Sequence, residues 1–162
     1  MYNSGNIDAF VHVEHFWCTK LQNGRVLSRP GKKWEFHFIT NSTHNYDTGS
    51  IWTEGKLWRV IAPTEEGAFR WYAGGEVVSW VSKDHGKHWK KEYVYTQNSP
   101  RNHGYVRRVK DGVDPFICLW SDSVPNKLSI CKMYIGDSQG HVWELPYNMT
   151  QDWEKPFPVI SY

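Results

Sequence analysis

Short runs of alternating apolar and polar residues fill most of this 162-residue chain. Alternation with a period of two is typical of strands that cover one face, and here glycine, asparagine and aspartate turn signals separate the runs. No convincing helical period occurs between residues 8 and 146, so the pattern predicts an all-β chain. The clearest runs form two sets of four: 49–53, 57–62, 75–81 and 88–96, then 105–109, 115–120, 132–136 and 141–146.

A shorter set precedes these two. Residues 10–17 alternate, Asn23-Gly24 is a hairpin signal before the run 25–27, and residues 34–40 alternate again. Counting back from the later sets puts the missing first strand before Met1. The pattern therefore predicts four units: an incomplete first unit, two complete ones and a tail, at 1–40, 41–96, 97–146 and 147–162.

The turn between the last two runs of the second set has a specific composition. Ser82, Asp84, Gly86 and Trp89 fill the pattern S-x-D-x-G-x-x-W. Asp84 can accept hydrogen bonds from backbone N–H groups of the turn, and Gly86 can take a positive φ. Ser82 can cap the turn, and Trp89 offers a large apolar anchor. The pattern predicts a structural hairpin turn.

Part of this turn recurs in the other units. G-x-x-W also occurs at 31–34 and 140–143, with glycines 55 and 54 residues apart. The outer copies are degenerate, since Ser28-Arg29-Pro30 replaces Ser-x-Asp in the first and Asp137 is displaced in the third. Even spacing within matching strand patterns predicts repeats of one structural unit.

These motifs resemble a known family. The Asp84 turn, together with runs at 61–65, 74–76, 102–108 and 142–146, is similar to the bacterial BNR or Asp-box repeat proteins. These are sialidase-like β-propellers, which include putative neuraminidases and relatives of the ulvan-lyase type that act as polysaccharide lyases. The similarity covers roughly residues 40–158, which correspond to the C-terminal portion of such proteins.

The resemblance implies a partial sialidase-like β-propeller of about three four-stranded blades. Propellers typically close with about 4–8 blades, so missing N-terminal blades or other chains would complete the ring. A self-contained β-sandwich is the alternative. The resemblance also suggests an exported bacterial protein, periplasmic or extracellular, although the N-terminal residues lack the pattern of a secretory signal.

Composition excludes several kinds of partner. The formal charge of +2 is small and mixed, which argues against a nucleic-acid partner, and no apolar run is long enough for a membrane span. Cys18, Cys118 and Cys131 lack C-x-x-C spacing, so we expect no metal site, and no cofactor is indicated. A disulfide between Cys118 and Cys131 stays open at this stage.

The repeat also suggests a candidate site. A His-x-Tyr motif stands before or at the start of each complete inner strand, as His44 with Tyr46 and His103 with Tyr105. In a propeller these positions lie around the mouth of the central channel, where one of the alternating Arg107 and Arg108 would point inward.

This set suits β-elimination from a uronate. Arginine would clamp the carboxylate, and histidine or tyrosine would serve as base and acid. The predicted catalytic residues are His103, Tyr105 and Arg107, assisted by His44 and Tyr46. The predicted substrate-binding residues are Arg108, Trp52, Trp71 and Tyr72. Alternatively, the His-x-Tyr motifs are structural and make hydrogen bonds in the turns between blades.

Two other functions remain open. A sialidase-like glycoside hydrolase would need an arginine triad, a tyrosine nucleophile with a glutamate partner and an aspartic acid, and the Phe-Arg-Ile-Pro motif of true sialidases is absent from these residues. A non-catalytic carbohydrate-binding propeller module would stack sugars on exposed rings such as Trp52, Trp71 and Tyr72. All three functions predict a polysaccharide or oligosaccharide partner.

Overall fold

The structure is a computed structural model that describes residues 10–14, 22–28, 35–42, 48–70 and 72–159. The described part is all-β, as the sequence predicts. None of its residues lies in a helix, and it contains no helix that could cross a membrane.

In the part of the chain that the structure describes, twelve strands form three antiparallel sheets in chain order. The first sheet contains β1 (Phe10–Glu14), β2 (Gln22–Ser28) and β3 (Glu35–Ser42). The second contains β4 (Ser50–Glu54), β5 (Leu57–Glu65), β6 (Glu76–Ser82) and β7 (Lys90–Val94). The third contains β8 (Asn102–Arg108), β9 (Cys118–Ser123), β10 (Met133–Gly136), β11 (Val142–Glu144) and β12 (Phe157–Val159).

All eight strand runs predicted for the two complete units are present, with shifted ends. The tail differs from the prediction, because residues 157–159 pair with β11 and extend the third sheet to five strands. The predicted boundary at residue 146 therefore separates β12 from the sheet to which it belongs. The repeat glycine at position 31 and its Trp34 lie outside the described residues.

The second sheet is covered on both faces. Trp52, Ile61 and Val77 project from one face into a core shared with Trp120 and Tyr134 of the third sheet. The opposite face carries a set of buried residues that meets Ile39 of β3: Trp58, Val60, Ala62, Val78 and Trp80. Neighbouring residues such as Val77 and Val78 enter different cores because successive side chains of a strand point to opposite faces. Burial on both faces explains why β6 is apolar along most of its length.

The second and third sheets are joined at their first strands. Val106 N–H donates to the carbonyl of Thr48 at 3.1 Å, and Ser50 Oγ donates to the carbonyl of Val106 at 3.0 Å. Further along, Gly75 and His103 exchange two backbone hydrogen bonds of 2.9 and 2.8 Å. These bonds fix β8 against β4 and against the start of β6, and they place its residues beside the connections between strands.

The Asp84 turn lies between β6 and β7 and forms as predicted. Asp84 Oδ1 accepts hydrogen bonds from Ser82 Oγ and His88 N–H, at 2.8 and 2.9 Å. Gly86 has φ 87°, and Trp89 Nε1 donates to its carbonyl at 2.8 Å. The indole of Trp89 packs against the core that faces the first sheet.

The third-unit turn between β10 and β11 is better formed than its sequence suggests. Asp137 Oδ1 accepts from the backbone N–H groups of Gln139 and His141, each at 2.8 Å, and its Oδ2 lies 2.7 Å from His141 Nδ1. Asp84 contacts His88 in the same way, with Oδ2 2.5 Å from Nδ1. The structural repeat is therefore Asp-x-x-x-His. The displaced Asp137 accepts the hydrogen bond of its turn as Asp84 does.

This alignment changes the assignment of the third Trp. Trp89 follows His88 directly, and the equivalent position after His141 is Val142, which is buried in the core between the second and third sheets. Trp143 pairs with Ile135, one residue further along, and so projects from the opposite face. The recurrence of G-x-x-W thus does not place the two Trp side chains in equivalent positions.

Candidate functional site

Three connections emerge together at one end of the second and third sheets: 66–75, of which residue 71 is outside the described residues, 95–101 and 124–132. We call this the connection end; the Asp84 and Asp137 turns lie at the other. Asn102, at the start of β8, organises the first of these segments. Its side-chain oxygen accepts from Phe69 N–H at 2.9 Å, and its amide nitrogen donates to the carbonyls of Phe69, Ala73 and Gly74 at 2.9, 3.2 and 3.4 Å.

Asn102 is not among the site residues that the sequence predicts. One feature of the sequence could have indicated it. Asn102 is a polar residue at the first position of a strand that is buried at that end, so the Asn102 amide must find hydrogen-bond partners within the protein. Asn102 is almost fully buried. It acts as a positioning residue that holds the 66–75 segment and the exposed Tyr72 ring, which is 43% exposed.

His103 is buried between the sheets, with 5% of its surface exposed. The Trp120 indole N–H donates to its Nδ1 at 3.1 Å, and its Nε2 lies 3.1 Å from Ser99 Oγ. An indole N–H can only donate, so Nδ1 carries the lone pair and Nε2 carries the proton. Burial lowers the pKa of His103, as does Arg101, while Glu76 and Asp122 act to raise it.

This geometry does not fit His103 as a catalytic base. At neutral pH its single lone pair is already used by Trp120, inside the core. Proton abstraction would require that bond to break, and no substrate carbon could reach Nδ1 without displacing Trp120. Of the two interpretations given for the His103-x-Tyr105 motif, the structure agrees with the structural one for the histidine.

Tyr105 is in a different environment from His103, two residues earlier. A register shift in β8 between Gly104 and Arg107 interrupts the pairing with β9, and Tyr105 takes φ 56° within it. The side chain is 63% exposed. A positive φ is uncommon for a bulky residue and costs conformational energy, and such strain is concentrated at functional sites.

Arg107 and Arg108 follow Tyr105 and are both exposed. Beyond the bulge they pair with the consecutive residues Leu119 and Cys118, so their side chains point to opposite faces of the sheet, and the inward direction of one of them stays a prediction. The Arg108 guanidinium lies over the Trp52 ring, 5.0 Å from its centroid. Backbone N–H of Arg108 donates to Ser50 Oγ at 3.0 Å, which fixes the start of that side chain.

Trp52 is not an exposed stacking platform, contrary to prediction. Only 7% of it is exposed, its ring belongs to the core between the sheets, and its Nε1 donates to Glu54 Oε1 at 2.7 Å. Glu54 in turn receives two hydrogen bonds from the buried Arg59, at 3.0 and 3.2 Å, and Arg59 also contacts Glu92. The Trp52 ring therefore packs against the Arg108 guanidinium, and very little of the ring surface contacts solvent.

The structure thus brings together Tyr105, Arg107 and Arg108 along one edge strand, and it separates them from the buried His103. The predicted site residues His44, Tyr46 and Trp71 lie outside the described residues. The four residues of the Asp84 turn are structural and stand at the opposite end from the three connections.

A cleft opens at the connection end, between the 95–101 connection and the third sheet. It has a volume of about 140 Å³, and its polar lining comes mainly from Ser99, Arg101, Asp122, Lys132 and Glu144. Arg101 Nε lies 3.1 Å from Asp122 Oδ2, and Lys132 Nζ lies 2.9 Å from Glu144. The sequence does not predict this cleft, because its residues come from five separate segments.

Asp122 is the buried anchor of this region. Its Oδ1 accepts from Lys132 N–H at 2.9 Å, and its Oδ2 accepts from the Tyr134 hydroxyl at 2.8 Å. Burial raises the pKa of Tyr134, and the hydrogen bond to Asp122 raises it further, so this phenol stays protonated at neutral pH.

Neither described cysteine fits a catalytic role or a disulfide. Cys118 and Cys131 are both free thiols, which settles the question of a bond between them. Burial raises the pKa of Cys118 to about 12, so its thiol is not reactive at neutral pH. Within the described ranges, no group of three or more His, Cys, Asp or Glu residues could hold a metal ion.

Comparison with known proteins gives no family for this chain. No protein-family model matches it, and no curated protein sequence is significantly similar to it. The resemblance to Asp-box propellers is therefore carried by the motifs alone.

Proposed function

We propose that this chain forms part of a sialidase-like β-propeller that binds an acidic, uronate-containing polysaccharide. The propeller is supported by three antiparallel sheets in chain order and by the second sheet, which packs against a neighbour on each face. It is also supported by two Asp turns at the same end of successive sheets. Missing blades or further chains would complete the ring.

One observation carries the proposed ligand class: the exposed Tyr105, Arg107 and Arg108 on the edge strand β8. We call these three residues the β8 edge. A tyrosine ring offers an apolar face to a sugar ring, and a guanidinium pairs with a carboxylate through two parallel hydrogen bonds. The inner edge of a blade faces the central channel, so a polymer bound at the β8 edge would lie along the wall of that channel.

Affinity electrophoresis tests this proposal. Polygalacturonate in the gel should retard the wild-type chain, whereas dextran, which is neutral, should not. The Arg107→Ala/Arg108→Ala variant should bind polygalacturonate about tenfold or more weakly, because it loses charge-assisted contacts.

The matched control is Lys127→Ala/Lys155→Ala, which removes two exposed positive charges away from the β8 edge. It should retain nearly full retardation. If both double variants lose retardation equally, the polymer responds to net charge alone and the proposed site is wrong.

A second function, β-elimination, is favoured by the strained backbone at Tyr105. The Tyr105 oxygen would take the C5 proton and pass it to the leaving O4 oxygen as the C4–O4 bond breaks and the C4–C5 double bond forms. Arg107 or Arg108 would hold the uronate carboxylate during this step. His103 has no part in this version. Assistance by His44 and Tyr46 stays a prediction.

An assay for ultraviolet-absorbing unsaturated uronate decides between binding and elimination. The wild-type chain should release such products from polygalacturonate. Tyr105→Phe should stop their release while keeping most of the retardation in the gel, since the ring remains. Binding without any product would leave the chain a binding module, and new reducing ends without ultraviolet absorbance would instead indicate hydrolysis of the sialidase-like type.

A further inference from the structure

The cleft at the connection end has an apolar floor and a polar rim. Four of its lining residues supply apolar surface: Tyr95, Pro100, Val142 and Val159. Its volume of about 140 Å³ is well below the roughly 300–1,000 Å³ of pockets that hold drug-sized ligands. The space therefore suits a ligand of about one ring.

A chain of hydrogen bonds leads from the core to this cleft. Trp120 donates to His103 Nδ1, so His103 Nε2–H must donate to Ser99 Oγ. The Ser99 hydroxyl hydrogen then needs an acceptor, and the described residues supply none. Ser99 lines the cleft, and the direction of the chain makes its hydroxyl a donor toward the ligand.

A second donor nearby also lacks a partner. Arg101 Nε is buried and lies close to Asp122 Oδ2, but its N–H makes no hydrogen bond within the described residues, because it does not point at that oxygen. This unpaired donor costs free energy, but the Nε atom itself is fully buried, so the proposed ligand contacts are those of Ser99, Lys132 and Glu144.

The rim is electrically balanced. Arg101 faces Asp122, Lys132 faces Glu144, and His103 is neutral in its observed tautomer. A charged ligand would leave this balance broken inside a partly buried space. The Lys132–Glu144 pair can still donate to and accept from a pair of neighbouring hydroxyls, since an ammonium and a carboxylate both have capacity beyond one bond.

We propose that this cleft binds one neutral sugar ring, as a subsite separate from the β8 edge. The C–H face of the ring would pack on the apolar floor, one ring oxygen would accept from Ser99, and neighbouring hydroxyls would bridge Lys132 and Glu144. The choice of a sugar rests on the proposed function, whereas neutrality and size follow from the cleft itself.

Nuclear magnetic resonance titration of the full chain with methyl glucoside and methyl galactoside tests the subsite. At least one should cause saturable shifts of the Trp120 indole N–H signal and of the Val142 and Val159 methyl signals. Glucuronate should bind more weakly than the neutral glycoside, because of its charge. Ser99→Ala should weaken glycoside binding about three- to tenfold, the net worth of one hydrogen bond.

Lys132→Met provides a second variant that keeps the length of the side chain, and Lys127→Met on the same connection is its control. Lys132→Met should weaken glycoside binding, whereas Lys127→Met should not. The subsite is wrong if neither glycoside shifts the three signals up to its solubility limit, if glucuronate binds more tightly, or if the two lysine variants behave alike.

The two sites can fail separately. Arg107→Ala/Arg108→Ala should leave the glycoside titration unchanged, and Ser99→Ala should leave most of the retardation by polygalacturonate. Loss of polymer binding with intact glycoside binding would reject only the β8 edge, and the reverse result would reject only the cleft.

Discussion

At the scale of single residues, Gly86 shows how tightly the Asp84 turn is fitted to its neighbours. Its φ of 87° lies in the left-handed region, and a Cβ there would stand 2.9 Å from Trp58 Cζ3 and 3.3 Å from His37 Cγ. Backbone conformation and packing therefore both require glycine at this position. Gly55, in the turn between β4 and β5, has a similar φ of 62°, but a Cβ added to it would have nothing within 4 Å.

This pair of glycines gives a matched test. Gly55→Ala should destabilise the chain by about 1 kcal/mol, the cost of a left-handed backbone for a residue with a side chain. Gly86→Ala should cost about 2–4 kcal/mol, since the clash with the Trp58 ring adds to it. Urea denaturation followed by tryptophan fluorescence measures both values. Equal losses would mean that the turn can move away from Trp58 freely.

Asn102 offers a second test at this scale. Asn102→Ala removes four hydrogen bonds to the 66–75 segment and should lower the free energy of unfolding by about 2–4 kcal/mol. Asn126→Ala, at an exposed position, should change it little. Proteolysis should also cut near Phe69 and Tyr72 sooner in Asn102→Ala. If cleavage in that segment is unchanged, other contacts hold it in place.

At the scale of elements, the two Asp turns are held by carboxylates whose charge matters. Burial raises the pKa of Asp137, but hydrogen bonds from the His141 ring and from the backbone N–H groups of Gln139 and His141 outweigh it and lower the pKa overall. The pKa of Asp84 is also lowered, first by the backbone N–H of His88 and then by its ring and by Ser82. Both turns thus favour the ionised form.

The sign of the pH effect follows from this direction. A carboxyl group with a lowered folded-state pKa adds stability above its usual pKa of 3.8, and that stability is lost as the pH falls below this value. Asp137→Asn should lower stability at pH 7 by about 1 kcal/mol and should flatten the decline below pH 3.8. Asp152→Asn, in the exposed tail, is the control. A decline in acid as steep as that of wild type would show that Asp137 is not a source of it.

The sequence predicts the strands well, because the alternation that identifies a strand is a property of that strand alone. Alternation reports local pleating, and it predicts eight of the nine strands of the second and third sheets, all except β12. The G-x-x-W pattern aligns the third turn by its Gly and Trp, whereas the structure aligns Asp137 and His141 with Asp84 and His88. One residue of displacement sends Trp143 to the opposite face, which no local pattern reveals.

The site was harder to predict than the strands. Alternation identified Trp52 as a residue on one face of β4 but could not show that the third sheet covers that face. Likewise, His103 and Tyr105 would share a face in a regular strand, and only the bulge separates a buried imidazole from an exposed phenol. The cleft depends on residues between 95 and 159 that become neighbours only when the 95–101 connection packs against the third sheet.

At the scale of the whole molecule, the second and third sheets are joined by a polar connection within an apolar core. Trp120 of β9 donates to His103 of β8, and His103 reaches Ser99 on the connection from β7. The Tyr134 ring stands 5.1 Å from the His103 ring and is stacked on Trp120 at 5.8 Å. Protonation of His103 would convert Nδ1 into a donor facing the Trp120 N–H and would break this connection.

The stability of the molecule should therefore depend on His103 in mildly acidic solution. Burial lowers the folded-state pKa of His103 below its usual 6.5, so the unfolded chain binds a proton first as the pH falls. Stability should be full above pH 6.5 and should decrease below it. Glu76 and Asp122 oppose this shift and Arg101 adds to it, so the three define the size of the effect.

His103→Gln tests this dependence, because glutamine is neutral at all of these pH values and can still accept a hydrogen bond from Trp120. Urea denaturation at several pH values between about 7.5 and 5 should give a smaller decrease in stability for His103→Gln than for wild type, although its stability at the upper end of this range should be lower. His85→Asn is the control, since His85 is exposed and its φ of 59° suits asparagine. If the stability of His103→Gln falls as much as that of wild type, other histidines cause the acid sensitivity. The hydrogen bond from Trp120 to His103 would then not be what is lost in acid.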